Sequence, residues 1–189
     1  MLRRLVGSEM CIRDSSYFIG SDMPPHVATK LYVVGMYKCF EAARLGDVQH
    51  TVFASSLAVS GMQKNFGERL VNEEDAKHGT LQYAVNKIFN EFQAQDYREK
   101  YGMTITCVRP ANVTGPDKVD GSIDHVRCMV LPARGQPVSF PHADATRCPI
   151  HVDDIAEVYA RVAMKDKPDH AIYTSGGHTI SMGDLANIV

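Results

Sequence analysis

The 189 residues contain no Gly-x-x-Gly-x-x-Gly and no Gly-x-Gly-x-x-Gly stretch. Such glycines let a backbone approach a pyrophosphate and aim a helix N-terminus at it, so the ordinary dinucleotide cradle is not encoded. Gly-x-Ser-x-Gly and His-Glu-x-x-His are absent as well, which leaves hydrolase chemistry without a nucleophile elbow or metal ligands. No apolar run approaches the roughly 20 residues needed to cross a bilayer, so no membrane partner is expected. The five cysteines, Cys11, Cys39, Cys107, Cys128 and Cys148, are odd in number and widely spaced. They suggest neither a disulfide framework nor a zinc site and fit a reducing cytoplasm. Basic residues are scattered and the net charge is −2, so no nucleic-acid surface is expected either.

What is present is an ordinary globular composition, 44% hydrophobic and 22% charged, which suits one domain with a sizeable core. The stretch Thr80-Leu-Gln-Tyr-Ala-Val-Asn-Lys87 places Tyr83 and Lys87 four residues apart. On a helix those positions share a face, so the Lys87 ammonium can lie near the Tyr83 phenol and favour its ionised form. A phenol so placed can serve as an acid or base near neutrality. The Ser56 hydroxyl, at the end of the strand-like run Thr51-Val-Phe-Ala-Ser-Ser56, is positioned to hold a substrate oxygen or to cap a turn. Tyr-x-x-x-Lys alone is a weak motif, and its flanks decide its meaning.

Coarse patterning predicts three long helices. One runs from Val27 to Leu45, buried on most sides and ended by Gly46. The next runs from an N-cap at Thr80 to Lys100 before Gly102, with Leu81, Val85, Ile88, Phe89 and Phe92 as one apolar face. The third follows Asp154, which caps it while Glu157 reaches back. A last helix starts at Ser181. Strands are expected at 51–55, 103–108, 137–140, 148–152 and 170–174, and loops at 62–79 and 111–122 beside the site. Strands alternating with helices imply an α/β fold with a mostly parallel sheet covered on both faces.

Four segments then fall in a telling order: Ser55-Ser56-Leu-Ala-Val-Ser-Gly61, Tyr83 to Lys87, Thr104-Ile-Thr-Cys-Val-Arg-Pro-Ala-Asn-Val-Thr-Gly-Pro116, and Arg147-Cys-Pro-Ile-His-Val-Asp-Asp154. Together they resemble the extended short-chain dehydrogenase/reductase family, the nucleotide-sugar epimerases and dehydratases, over roughly residues 27–189. The resemblance implies a partial Rossmann-like, doubly wound parallel sheet with a small C-terminal substrate-binding portion. It implies Ser56, Tyr83 and Lys87 as catalytic residues and NAD or NADP as cofactor, contacted by Ser55, Tyr83, Lys87, Pro110, Asn112 and Val113. It further implies a nucleotide-sugar or related polyol as substrate, met by Ser56, Asn112 and Arg147, and a homodimer built on the two long helices.

Departures from the family pattern fall on functional positions. Tyr32 stands where many members carry an active-site Asn, Asn86 replaces the usual Ser before the lysine, and Ser60 replaces a Tyr. Leu57 and Ala58 occupy the positions of the acidic pair of hexose dehydratases, which argues against that activity. A redox-silent nucleotide- or protein-binding module, or a truncated gene product without independent activity, is the alternative. Residues 1–15 read as a non-native leader, and 16–189 as a partial domain cut at its front and at its end. With the first strands missing, the strand at 51–55 would be an open edge prone to aggregation. Arg109 and Arg147 have an alternative as sheet-end arginines paired with carboxylates. His151 and Asp153 suit packing and capping, and His178 suits a turn.

Overall fold

The computed structural model describes residues 23–116, 118, 124–140 and 142–189. The leader at 1–15, part of the loop at 111–122 and Cys11 lie outside them. The first helix, α1, comprises α-helical turns at Pro25–Thr29, a π-helical turn at Lys30–Val34 and a further α-helical run at Gly35–Leu45. It leads to strand β1 (Thr51–Ala54), helix α2 (Gln82–Tyr101) and strand β2 (Ile105–Arg109). Next come β3 (Asn112–Thr114), α3 (Asp124–Ala133), β4 (Thr146–Arg147), β5 (Pro149–His151) and α4 (Val152–Met164). The chain ends with β6 (Ile172–Thr174), β7 (Ile180–Ser181) and α5 (Met182–Ile188).

The main sheet is parallel in the order β1-β2-β6. Every residue of β2 is buried, as expected of a central parallel strand covered on both faces. On one face α1 and α2 close over Met36, Phe40, Phe53, Ala94, Tyr97, Ile105 and Cys107. On the other, α4 lays Ile155 and Val162 against Val108, with Val52 and Val113 at the margin. This is the expected doubly wound α/β arrangement. Beyond it lies a smaller portion, where β3 pairs parallel with β5 and β4 antiparallel with β7. There α3 and α5 share a second core of Cys128, Met182 and Leu185.

Several expectations need correction. Residues 137–140 form no strand: Val138 and Phe140 pack into the second core, and burial alone produced their alternation. Helix α1 is buried along only one stripe, Ala28, Tyr32, Met36 and Phe40, while Val27, Val34, Tyr37 and Leu45 are exposed. The four-residue spacing of that stripe exceeds an ideal α-helical period, and the wider π turn helps keep it in line. Helix α2 begins after Leu81, with no side-chain cap, rather than at Thr80. Helix α4 is capped by His151, whose Nδ1 accepts from the Asp153 N–H at 3.3 Å, so Asp154 lies inside the first turn. Gly102 ends α2 in the left-handed region at φ 65°, and Ser181 caps α5 by accepting from the Asp184 N–H, both as the sequence suggests. Helix α3 had no counterpart in the patterning, because Pro132 inside it reads as a breaker.

Candidate active site

The buried face of α2 carries Ala84, Asn86, Lys87, Asn90, Glu91, Ala94 and Tyr97, an unusually polar inner stripe. Four of those side chains need partners inside the protein. Lys87 is 2% exposed and donates from Nζ to the carbonyl of Ala54, the last residue of β1, at 2.7 Å. Its ammonium lies 4.7 Å from the centroid of the Tyr32 ring and 5.8 Å from that of Tyr83. The two rings meet edge to face at 5.8 Å. Tyr83 itself is half-buried, so its ring borders both the core and the outside.

Ser56 follows β1 by two residues and is half-buried. Its Oγ accepts from the Ala58 N–H at 3.2 Å, capping a 3₁₀ turn at Leu57–Ser60. The hydroxyl therefore has the turn-capping contact anticipated from its strand-end position. Gly61 then turns the chain at φ 79°, where a Cβ would stand 2.5 Å from the His78 carbonyl, so only glycine fits. The Leu57 N–H donates to the Pro110 carbonyl at 3.0 Å, joining the ends of β1 and β2. Ser56, Lys87 and Pro110 thus gather at the C-terminal edge of the parallel sheet, with Tyr83 one helical turn before Lys87. In open α/β sheets that edge is where ligands bind.

Under this cluster lies an ionic core. The Glu91 carboxylate accepts from Arg109 Nε and a terminal guanidinium nitrogen, both at 2.8 Å, and from Ser55 Oγ at 2.6 Å. Lys77 from the loop at 62–79 completes it, with Nζ 2.8 Å from Glu91. Burial pushes the Glu91 carboxyl up, but the hydrogen bonds from Arg109, Lys77 and Ser55 outweigh it and bring the pKa down to about 2. Ser55 is buried, with its hydroxyl committed to Glu91, and Arg109 takes the carboxylate-paired role. Glu91 was not singled out by sequence, although its place one turn after Lys87 on the same face was a usable signal.

The second group of expected site residues sits in the smaller portion. Asn112 pins β3 to β5: its N–H donates to the Cys148 carbonyl at 2.9 Å and its Oδ1 accepts from the Cys148 N–H at 3.0 Å. The Val113 carbonyl accepts from Lys118 Nζ at 2.7 Å, while its side chain joins the core beside Val108. Arg147 donates to Asp124 at 3.1 Å and to the Thr146 carbonyl at 2.9 Å, yet its Nε is buried without a hydrogen-bond partner among the described residues. Nearby, His125 is fully buried on α3, with Nε2 2.8 Å from Thr114 Oγ1. Thr114 spends its own hydrogen on the Asn112 carbonyl, so the hydrogen-bond arrangement assigns the imidazole proton to Nε2. Burial first, then the positive charges of Lys118 and Arg147, lower the His125 pKa to about 4, against a smaller opposing effect of Asp124. Among the described residues no cluster of His, Cys, Asp and Glu is arranged to hold a metal ion, and no helix is long and apolar enough to cross a membrane.

A parallel sheet with helices on both faces, with the helix carrying Tyr83 and Lys87 over its C-terminal edge, is a Rossmann-like architecture. The family model described as "NAD dependent epimerase/dehydratase family" matches residues 24–176, and the chain belongs to that family. A UDP-glucose 4-epimerase of Mycolicibacterium smegmatis is 29% identical over 144 residues, 74% of this chain and 45% of the relative. The structure of a UDP-N-acetylglucosamine 4-epimerase from Methanobrevibacter ruminantium, solved with UDP-N-acetylmuramic acid, superposes with a TM-score of 0.76 at 21% identity. That match covers 92% of this chain and 56% of that one. An L-threonine 3-dehydrogenase of Trypanosoma brucei superposes at 0.73 with 18% identity, over 84% of this chain and 50% of that one. The chain spans about half the length of the relatives it matches.

Proposed function

We propose that the protein acts as an NAD(P)-dependent epimerase or dehydrogenase on a nucleotide-sugar or related polyol, with Ser56, Tyr83 and Lys87 at the reacting carbon. The carrying observation is the seat of Lys87, whose ammonium is fixed at the end of β1 one turn from the Tyr83 phenol. A bound nicotinamide would supply the hydride acceptor, and Tyr83 takes the proton from the substrate hydroxyl. Lys87 favours the phenolate, and Ser56 exchanges its contact with the Ala58 N–H for the carbinol oxygen.

The residues present suit part of such a cofactor site. Pro110 after β2 and the neighbouring strand residues Asn112 and Val113 can face a nicotinamide ribose, with Ser55 limited to its backbone because Glu91 holds its hydroxyl, whereas no glycine-rich turn for the pyrophosphate is encoded. Arg147, with a buried nitrogen that has no partner among the described residues, suits a sugar-nucleotide diphosphate, and Asn112 bonds the backbone of the next residue, Cys148. Two of the three relatives are named for nucleotide-sugars and one for L-threonine, which favours the nucleotide-sugar class. Residues 16–189 then make up the catalytic-side part of the domain. A second copy covers the exposed stripe of Val85, Phe89 and Phe92 on α2, giving a homodimer.

The test is turnover by a full-length version given NAD(P) and a panel of UDP-hexoses. Interconversion or oxidation that disappears with Lys87→Met supports the reading; retained turnover in that variant contradicts it. The redox-silent alternative rests on Tyr32 in the Asn position and predicts ligand binding without turnover by the unaltered protein.

A further inference from the structure

We propose that Tyr32 is a positioning residue whose ring holds the Lys87 ammonium at the end of β1. This rests on the proposed role of Lys87. Position 32 departs from the resembled pattern, an aromatic ring standing where an amide is usual. The ring is not a filler at the surface: Tyr32 is 4% exposed and forms a small cluster with Ala28, beside Tyr83. Lys87 Nζ lies nearer to the Tyr32 ring, at 4.7 Å, than to the Tyr83 ring, at 5.8 Å. A buried ammonium is costly unless its hydration is replaced, and the face of an aromatic ring within about 6 Å is one such replacement. The Ala54 carbonyl supplies another, at 2.7 Å.

The backbone that carries the ring is itself specialised. Tyr32 is the middle residue of the π turn Lys30–Val34, and its carbonyl accepts from the Gly35 N–H. Asn90, 0% exposed on the facing helix, adds a side-chain contact to the same carbonyl. With its amide nitrogen turned inward it donates to the carbonyls of Tyr32 at 3.1 Å and Asn86 at 3.2 Å. Ring and backbone of one residue are thus both engaged by α2, the ring by Lys87 and the carbonyl by Asn90. The nearest charged neighbour on α2, Glu91, is paired with Arg109 and Lys77, so it does not compete for the ammonium. The ring of Tyr32 fixes where the Lys87 charge sits relative to Tyr83.

The test is competitive acetylation of the 189-residue chain across a pH series, with Lys87 followed by mass spectrometry at micromolar protein. Its titration midpoint reports how strongly the surroundings favour the ammonium. The midpoint stays put in Tyr32→Phe and falls by about 0.5–1.5 pH units in Tyr32→Leu. Mere loosening of the site would raise the rate at every pH and, by letting water reach the ammonium, would not lower the midpoint. Should the leucine variant fail to fold, fluorinated phenylalanines at position 32 keep the shape while weakening the π face, and the midpoint then falls with each added fluorine. A midpoint indifferent to Tyr32→Leu or to fluorination overturns the proposal. The proposed chemistry of Tyr83 is tested separately by turnover, so either idea can fail without the other.

Discussion

The two ends of this molecule treat polar groups differently. Around α2, β1 and β2, the buried charges are met from within: Lys87 by a carbonyl and aromatic rings, Glu91 by Arg109, Lys77 and Ser55. In the smaller portion, two short sheets leave Arg147 with a buried nitrogen unpartnered among the described residues, and His125 with its Nδ1 in the same condition. The first region is organised by its own contacts and holds Lys87 in place beside the Tyr32 and Tyr83 rings. The second leaves polar capacity unspent among the described residues.

The largest expected effect breaks the first region. Glu91→Ala leaves the buried Arg109 guanidinium without its carboxylate and costs about 3–5 kcal/mol in denaturant unfolding. A loss under 1 kcal/mol would mean that the ionic core is dispensable.

Acid sharpens the contrast next. The unfolded imidazole of His125 gains its proton as pH falls through about 6.5, whereas the buried ring gains it only near 4. The unfolded state therefore binds more protons between those values, and stability is lost as pH falls from 6.5 to 4, by about 3 kcal/mol. Glu91 acts in a lower window, from the ordinary glutamate value of about 4.3 down to about 2, with the same sign. Unfolding of His125→Gln across pH 4–7 should lack the upper component, and an unchanged slope there would reassign it.

Smaller effects belong to surfaces. Arg147→Ala removes an exposed ion pair with Asp124 and should shift stability by at most about 1 kcal/mol, while weakening nucleotide-sugar binding tenfold or more in calorimetric titration. Phe92→Ser, at a side chain 60% exposed, should leave unfolding nearly unchanged but lower self-association in analytical ultracentrifugation. Undiminished association would remove the α2 stripe from the dimer face.

Much of the first region was legible. The strand expected at 103–108, the Tyr83 to Lys87 spacing and Gly102 as a helix end are local signals, and local signals survive into the fold. The Glu91 network was not, because its partners come from β2, the loop at 62–79 and the end of β1, and no sequence window contains them all. Tyr32 was visible as a departure, yet its part in the site depends on a π turn that patterning at 3.6 residues per turn does not anticipate. Val138 and Phe140 alternate like a strand because two side chains enter the second core from an extended segment without a ladder. Among the described residues the strand at 51–54 is the outer strand of its sheet, and its far edge has no ladder partner there. That edge is where concentration-dependent aggregation should begin.

The central claim is that the face of α2 carrying Tyr83 and Lys87 performs the proton transfer. It is tested most directly by Tyr83→Phe in a full-length version, with turnover and cofactor binding measured on the same preparation. The account predicts that turnover is abolished while cofactor affinity is retained. Turnover persisting in Tyr83→Phe would contradict it.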